Sequence, residues 1–257
     1  MQSRIDSQQT VLCTVDTMNI VRRIYEAQMG PDTEERALAT VRSSISSIRR
    51  AILETEASKT VCAFDAPGLT WRHALYPKYK AGRSPMPSVL REVLPELKVQ
   101  LLELGVYSIE AEGYEADDII SELAMRNVGR PGVKVVVAST DKDMCQLIQY
   151  GVLIRDNFKR EWKGAAWLQQ KWKVLPEQLT DYFALVGDAT DGVPGASGIG
   201  PVTAAKLLAE YGTLQGIQDA MPRLPGAQKQ RLESAWESVK LSHQLISFRH
   251  PGLPTPK

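Results

Sequence analysis

VLCTVD, Val11 to Asp16, runs apolar and β-branched for five residues and then stops on a carboxylate. Two later stretches do the same: TVCAFD, Thr60 to Asp65, and VKVVVASTDKD, Val133 to Asp143. Each run is short enough for a buried strand. Helical patterns at Glu34 to Glu54 and Ser88 to Leu104 separate them, and GVLIRD, 151 to 156, adds a fourth strand. Alternation of this kind predicts an α/β fold with a mainly parallel central sheet flanked by helices. In open α/β sheets the ligand crevice lies beyond the carboxyl ends of the strands. Asp16, Asp65, Asp141 and Asp143 are therefore expected to converge there. An Asp after a strand is ordinarily a turn or N-cap residue, but its recurrence after three distant strands weakens that explanation.

GYEADDII, Gly113 to Ile120, adds Glu115, Asp117 and Asp118 and then turns apolar. Acids favour the first turn of a helix, where free N–H groups and the macrodipole stabilise negative charge, and Ile119, Ile120 and Leu123 read as that helix entering a core. Residues 115 and 118 share a helix face, whereas 115 and 117 do not, because a two-residue step rotates by about 200°. Glu115 is expected at the cap, with Asp117 or Asp118 reaching outward from the first turn. Gathering so many carboxylates requires cations to offset their repulsion. All-oxygen sites select Mg²⁺ or Mn²⁺, and two such ions about 4 Å apart clamp the attacking and leaving oxygens of a phosphoryl displacement.

The bulk properties exclude little. The chain has 257 residues, 43% hydrophobic and 24% charged, with a formal net charge of +1. It suits one large domain or one with a smaller appendage, and no global basicity advertises nucleic acid. Cys13, Cys62 and Cys145 are widely spaced, so neither a disulfide framework nor a zinc site is indicated. The start, MQSRIDSQQT, is polar, and no run of about 18 apolar residues occurs. A cytoplasmic monomer without a membrane partner is expected. His73, His243 and His250 stand in no metal-ligand spacing.

Two further segments suggest a nucleic-acid partner. WRHALYPKYKAGRSPMPSVLR, Trp71 to Arg91, carries Arg72, Lys78, Lys80, Arg83 and Arg91 with no acid, interleaved with Trp71, Tyr76 and Tyr79. One-sided charge with aromatics fits a phosphate backbone and stacked bases, and its Pro and Gly content predicts an arch that is mobile when unbound. In GASGIGP, Gly198 and Gly200 suit a tight turn, Pro201 suits the first position of a helix through Glu210, and Gly212 suits its cap. Exposed N–H groups at such a turn form a phosphate cradle.

GYEADDII, STDKDM, YKAGR and GDATDGVPGASGIGPVTAAKLL together resemble the 5′ nuclease or flap endonuclease superfamily, from about Val11 to Gly216 and in family order. That superfamily includes the 5′ nuclease domain of bacterial DNA polymerase I and standalone exonuclease IX-like enzymes, to which DTMNIVRR at Asp16 to Arg23 is most similar. The resemblance implies a PIN-like, resolvase-like core over 1–175 with a basic arch at about 71–91. It also implies a helical DNA-binding region over 176–257, with a helix-three-turn-helix at about 184–212. It implies a metal-dependent 5′ nuclease that cuts near single-strand/duplex junctions of 5′ flaps and leaves a 5′-phosphate. Asp16, Asp65, Glu115, Asp117 and Asp118 match the first metal cluster; Asp141, Asp143, Asp188 and Asp191 match the second. Lys80 and Arg83 match catalytic arch residues. Arg22, Arg72, Tyr79, Gly198, Gly200 and Lys206 are the expected DNA contacts. The main-chain carbonyls of Val193 and Ile199 are expected to hold K⁺. Both acidic clusters are complete, so full activity is expected; no polymerase domain is expected to follow, so coupling to synthesis is expected in trans or not at all. A PIN-type ribonuclease or a phosphatase would also gather aspartates at strand ends, but neither accounts for the glycine motif. A DNA-junction binding protein with a degenerate site is the non-enzyme alternative.

Overall fold

The computed structural model describes residues 9–253. In chain order its strands are β1 (Thr10–Asp16), β2 (Lys59–Ala63), β3 (Tyr107–Ile109), β4 (Val133–Ala138), β5 (Leu153–Asp156) and β6 (Glu161–Lys163). The helices are α1 (Thr17–Ala27), α2 (Glu34–Thr55), α3 (Trp71–Leu75), α4 (Ser88–Glu92), α5 (Leu94–Glu103), α6 (Ala116–Asn127), α7 (Ala165–Trp172), α8 (Leu179–Val186), α9 (Pro201–Tyr211), α10 (Leu214–Ala220) and α11 (Gly226–Ile246). The polar opening of the chain, residues 1–8, and residues 254–257 lie outside the described residues. Among the described residues no helix is long and apolar enough to cross a membrane.

The sheet runs β3-β2-β1-β4-β5-β6, and β3 through β5 are parallel neighbours. β1 is central: Val15 stands opposite Cys62 of β2 and Ala138 of β4. The chain steps outward from β1 to β2 and β3 and then returns to the other side of β1. The switch point therefore falls between β1 and β4, the place where open α/β sheets of this kind bind their ligands. Apolar side chains on these strands, among them Cys13, Val15, Cys62 and Val136, share one buried cluster with Ile20, Ile48, Leu97 and Leu101 from α1, α2 and α5. Burying each large side chain contributes about 1.5–3 kcal/mol, which is why these strands read as continuous apolar runs.

Local sequence explains the departures from expectation. The predicted helix from Ser88 to Leu104 is two helices parted at Val93, because Pro95 near the start of α5 has no N–H to continue the ladder. The three-residue strands β3 and β6 were not anticipated, since YSI and EWK carry no apolar run.

The chain forms two compact units. The first holds the described residues through Gly68, Pro85–Trp162, and the stretch from Arg249 on; the second holds Leu69–Ser84 and Lys163–Phe248. Residues 69–84 of the basic segment thus group with the helical unit, although the sequence assigned the whole arch to the α/β core. Within the second unit, α8 packs against α9 and α11, and Trp172 meets Tyr182 and Phe183 in an aromatic cluster.

Candidate active site

In the first unit, Asp16 ends β1 and caps α1. Its Oδ1 accepts the Asn19 N–H at 3.1 Å and its Oδ2 accepts the Ser139 hydroxyl at 2.8 Å. Ser139 follows β4, so this bond closes the switch point across two central strands. The stitching continues: the Asp141 N–H donates to Ser139 Oγ at 2.9 Å, the Asp143 N–H to Asp141 Oδ1 at 2.8 Å, and the Thr140 hydroxyl to Asn19 Oδ1 at 2.7 Å. Asn19, Ser139 and Thr140 orient the acids, and the sequence did not single them out; polar residues flanking an aspartate are too common to signal this by themselves.

Asp16 is only 5% exposed. Burial pushes its carboxyl up to about 7, helped by the nearby charges of Asp141 and Asp65 and opposed by the bonds from Ser139 and Asn19. Ser139, bonded to both Asp16 and the Asp141 N–H, ties the β1 and β4 ends together, and the charges of Asp141 and Asp65 both act on the Asp16 carboxyl.

The answer to GYEADDII is mixed. Glu115 is the N-cap of α6 and exchanges a capping box with Asp118, whose Oδ2 accepts the Glu115 N–H at 3.3 Å. The other oxygen of Asp118 accepts the Arg249 N–H at 2.9 Å, and the residue has no exposed surface. Asp118 was expected to reach a metal; its carboxylate is instead engaged by two backbone donors, the use that a helix start predicts. Asp117 is half-buried in the first turn. Asp65, just past β2, accepts the Ala116 N–H at 2.8 Å and so ties the β2 end to α6. Among the described residues, no three His, Cys, Asp or Glu side chains form a ready-made metal cage.

In the second unit, Asp188 and Val193 exchange two backbone hydrogen bonds, 2.9 and 2.8 Å, that close a tight loop around Asp191. The Asp188 side chain accepts the Thr190 N–H at 2.8 Å. Asp191 pairs with Arg83, has Lys80 Nζ at 4.0 Å, and its carbonyl accepts the Lys80 N–H at 2.8 Å. Burial raises the Asp191 carboxyl against the pull of Lys80 and Arg83. Lys80 is held at φ +54, a conformation that non-glycine residues rarely adopt.

Part of the expected arch is folded as α3, and several of its cations and aromatics have partners within the second unit. Arg72 is 2% exposed; its Nε donates to the Leu245 carbonyl at 2.8 Å and its guanidinium lies 4.4 Å from the Trp71 ring centre. Tyr79 is buried against His73. Both were expected to meet DNA and both build the unit's interior, because a guanidinium that bonds carbonyls and stacks on indole is satisfied without phosphate. Arg22 is half-buried on α1 and Lys206 exposed on α9. At the glycine turn, Gly198 has φ +78 and faces the Arg231 side chain, whereas Gly200 is extended at φ −85 with open space around it. Ile199 is buried between them.

A parallel sheet with converging strand-end acids, together with a helical unit built on a glycine turn, defines a class. Residues 11–173 match the N-terminal resolvase-like domain of 5′-3′ exonucleases and residues 174–252 their C-terminal SAM fold, so the chain belongs to the 5′-3′ exonuclease family. It is a nuclease, structure-specific and acting from the 5′ side. It is 37% identical over 240 residues to flap endonuclease Xni of Photorhabdus laumondii subsp. laumondii, covering 93% of this chain and 92% of that one. Flap endonuclease Xni of Aeromonas hydrophila subsp. hydrophila is 34% identical over 259 residues, covering 95% and 97%. The fold is similar to that of T5 5′-exonuclease with bound zinc ions, at TM-score 0.76 and 22% identity over 92% of this chain and 89% of that chain. It is also similar to the catalytic core of Rad2 in complex with DNA substrate, at TM-score 0.60 and 16% identity over 97% and 83%.

Proposed function

We propose that the chain hydrolyses DNA phosphodiesters at the junction of a single-stranded 5′ flap and duplex, using divalent metal and leaving a 5′-phosphate. The observation that carries this reading is the buried Asp16 carboxyl at the end of β1, bonded by Ser139, which in turn accepts the Asp141 N–H at the end of β4; burial and the charges of Asp141 and Asp65 push it up. Like charges at such close quarters suit a cation. The donors are all oxygen, which favours two Mg²⁺ ions, replaceable by Mn²⁺. Mg²⁺ keeps much of its water shell, in keeping with acids that approach without forming a closed cage. Asp16, Asp65, Glu115, Asp117, Asp141 and Asp143 are the proposed donors in the first unit, and Asp188 and Asp191 in the second; Asp118 supports them through its backbone bonds.

When bound, the ions would polarise the scissile phosphate and acidify the attacking water. The chain's own residues do the rest. Ser139 and Asn19 fix the Asp16 carboxylate, Asp65 fixes the start of α6, and Lys80 and Arg83 offer positive charge to a phosphate. Arg22, Lys206 and the free N–H groups at the start of α9 are proposed to hold the strand and duplex. A monovalent cation is proposed at the glycine turn on the Ile199 carbonyl and on the second lone pair of Val193, whose first accepts the Asp188 N–H. Three buried free cysteines accord with a monomer working in the reducing cytoplasm.

Incubating 5′-labelled flap DNA with and without Mg²⁺ tests the reading: cleavage at the junction only with metal is expected, and tight binding with no cleavage in either condition would leave a junction-binding protein instead. A readout independent of turnover is thermal. Mg²⁺ at about a hundred times its Kd should stabilise the DNA-free protein by about 2.7 kcal/mol, or roughly 5–10 °C in Tm; an unmoved Tm removes the metal site. Lys80→Ala should slow single-turnover cleavage about a hundredfold, the scale of a lost transition-state donor. Flap affinity should fall by less than about tenfold, as for one phosphate contact. Equal losses in rate and affinity would make Lys80 a backbone contact only.

A further inference from the structure

The stretch from Arg249 to Leu253 lies along one face of α6. The Arg249 N–H donates to Asp118 Oδ1 at 2.9 Å, and His250 Nε2 is 3.4 Å from Ser121 Oγ. The Gly252 and Leu253 N–H groups donate to the two oxygens of Glu122, each at 2.9 Å. Arg126 pairs with the same carboxylate and also donates to the Leu253 carbonyl. Positions 118, 121, 122 and 126 follow the three- and four-residue steps of a single helix face.

Glu122 is 3% exposed. An ionised carboxylate so deeply buried is costly unless its charge and lone pairs are met, and here the meeting groups come from Arg126 and from the strap itself. Gly252, at φ +73, supplies the turn that aims two successive N–H groups at one carboxylate. At the other end of the strap, Asp118 links Arg249 to the Glu115 N–H and so to the cap of α6.

We propose that residues 249–253 form a strap that positions α6, with Glu122 as its anchor and Asp118 as its link to the acids at the helix start. The proposal rests on the reading that Glu115 and Asp117 serve the metal. Neither Glu122 nor the strap touches substrate; they are positioning residues that hold the rotation and height of the first turn of α6 against the β2 end. Groups that orient metal-binding side chains in this way typically carry a 10–100-fold effect on metal affinity or activity.

The test uses Glu122→Gln, which keeps the side chain's shape but leaves only one oxygen to accept two strap donors, and Gly252→Val, which strains the strap without touching α6. Amide hydrogen exchange at 249–253 reports strap release, single-turnover flap cleavage across a Mg²⁺ titration reports function, and flap affinity in EDTA reports binding. In either variant that folds and releases the strap, the expected result is a roughly 10–100-fold higher Mg²⁺ requirement or lower rate, with affinity in EDTA unchanged. Strap release with wild-type rate and metal dependence would overturn the proposal, as would equal losses of rate and EDTA affinity. Asp117→Asn runs alongside: if it keeps the wild-type rate, the metal reading of α6 is what fails, whereas its loss beside a fully active Glu122→Gln with released strap sinks the strap alone.

Discussion

In Asp16→Asn, single-turnover flap cleavage in Mg²⁺ should fall about a thousandfold, the several kcal/mol that loss of a central ligand would cost the proposed two-metal site. The amide keeps the shape of the carboxylate. Its oxygen still accepts the Asn19 N–H, and its NH₂ donates to Ser139 Oγ, reversing a bond that measures 2.8 Å in the native protein. Flap affinity should hold or improve, because one negative charge leaves the neighbourhood of the phosphates. Stability without metal should move the other way from activity. The Asp16 carboxyl sits at about 7 in the folded protein, driven first by burial and then by Asp141, against about 3.9 unfolded. A raised acid binds its proton more tightly in the native state, so its stabilising contribution is complete below about pH 4 and is lost as the pH climbs towards 7. In chelator, native protein should therefore lose stability over this window more steeply than Asp16→Asn. Parallel curves of Tm against pH, or a wild-type cleavage rate, would remove Asp16 from the centre of the site.

Gly195→Ala should be among the most destabilising single changes in the second unit. Gly195 has φ +64, and an added Cβ would stand 2.6 Å from the Gly187 nitrogen and 2.7 Å from the Val186 carbonyl carbon. Those neighbours are backbone and cannot swing aside. Left-handed strain costs about 1–2 kcal/mol and overpacking about 1–3 kcal/mol, for a total of about 2–5 kcal/mol, or on the order of 10 °C in Tm. Gly195 also donates its N–H to Ser242 Oγ at 2.9 Å, which anchors the loop to α11. Gly200→Ala is the control: its backbone is extended and nothing lies within 4 Å of the new Cβ, so thermal melts should put its cost below about 1 kcal/mol. Equal Tm for the two variants would contradict the close backbone approach.

Those two glycines show where sequence reading stops. GASGIGP announced a turn and a helix start, and α9 begins at Pro201 as that pattern requires. Yet glycine is demanded just as firmly at Gly187 and Gly195, where an added Cβ would meet backbone six to nine residues away in the chain. The strand-end aspartates were legible because alternation of apolar runs with helices implies a parallel sheet, and a parallel sheet gathers its carboxyl ends. The basic segment was read less well. Its lack of acids suggested a phosphate backbone as partner, whereas Arg72 bonds the Leu245 carbonyl and Arg83 already pairs with Asp191, both more than a hundred residues away.

By itself the sequence determined the α/β core, the acids at its strand ends, the glycine turn and the family, since these rest on local periodicity, on residue type and on the order of motifs. Only the tertiary structure decided which carboxylates are occupied by backbone N–H groups, as Asp118 is, which cation answers Asp191, and that residues 249–253 brace α6 through Glu122. The physical reason is that a carboxylate's role depends on which donors surround it, and here they arrive from chain positions that no local pattern connects.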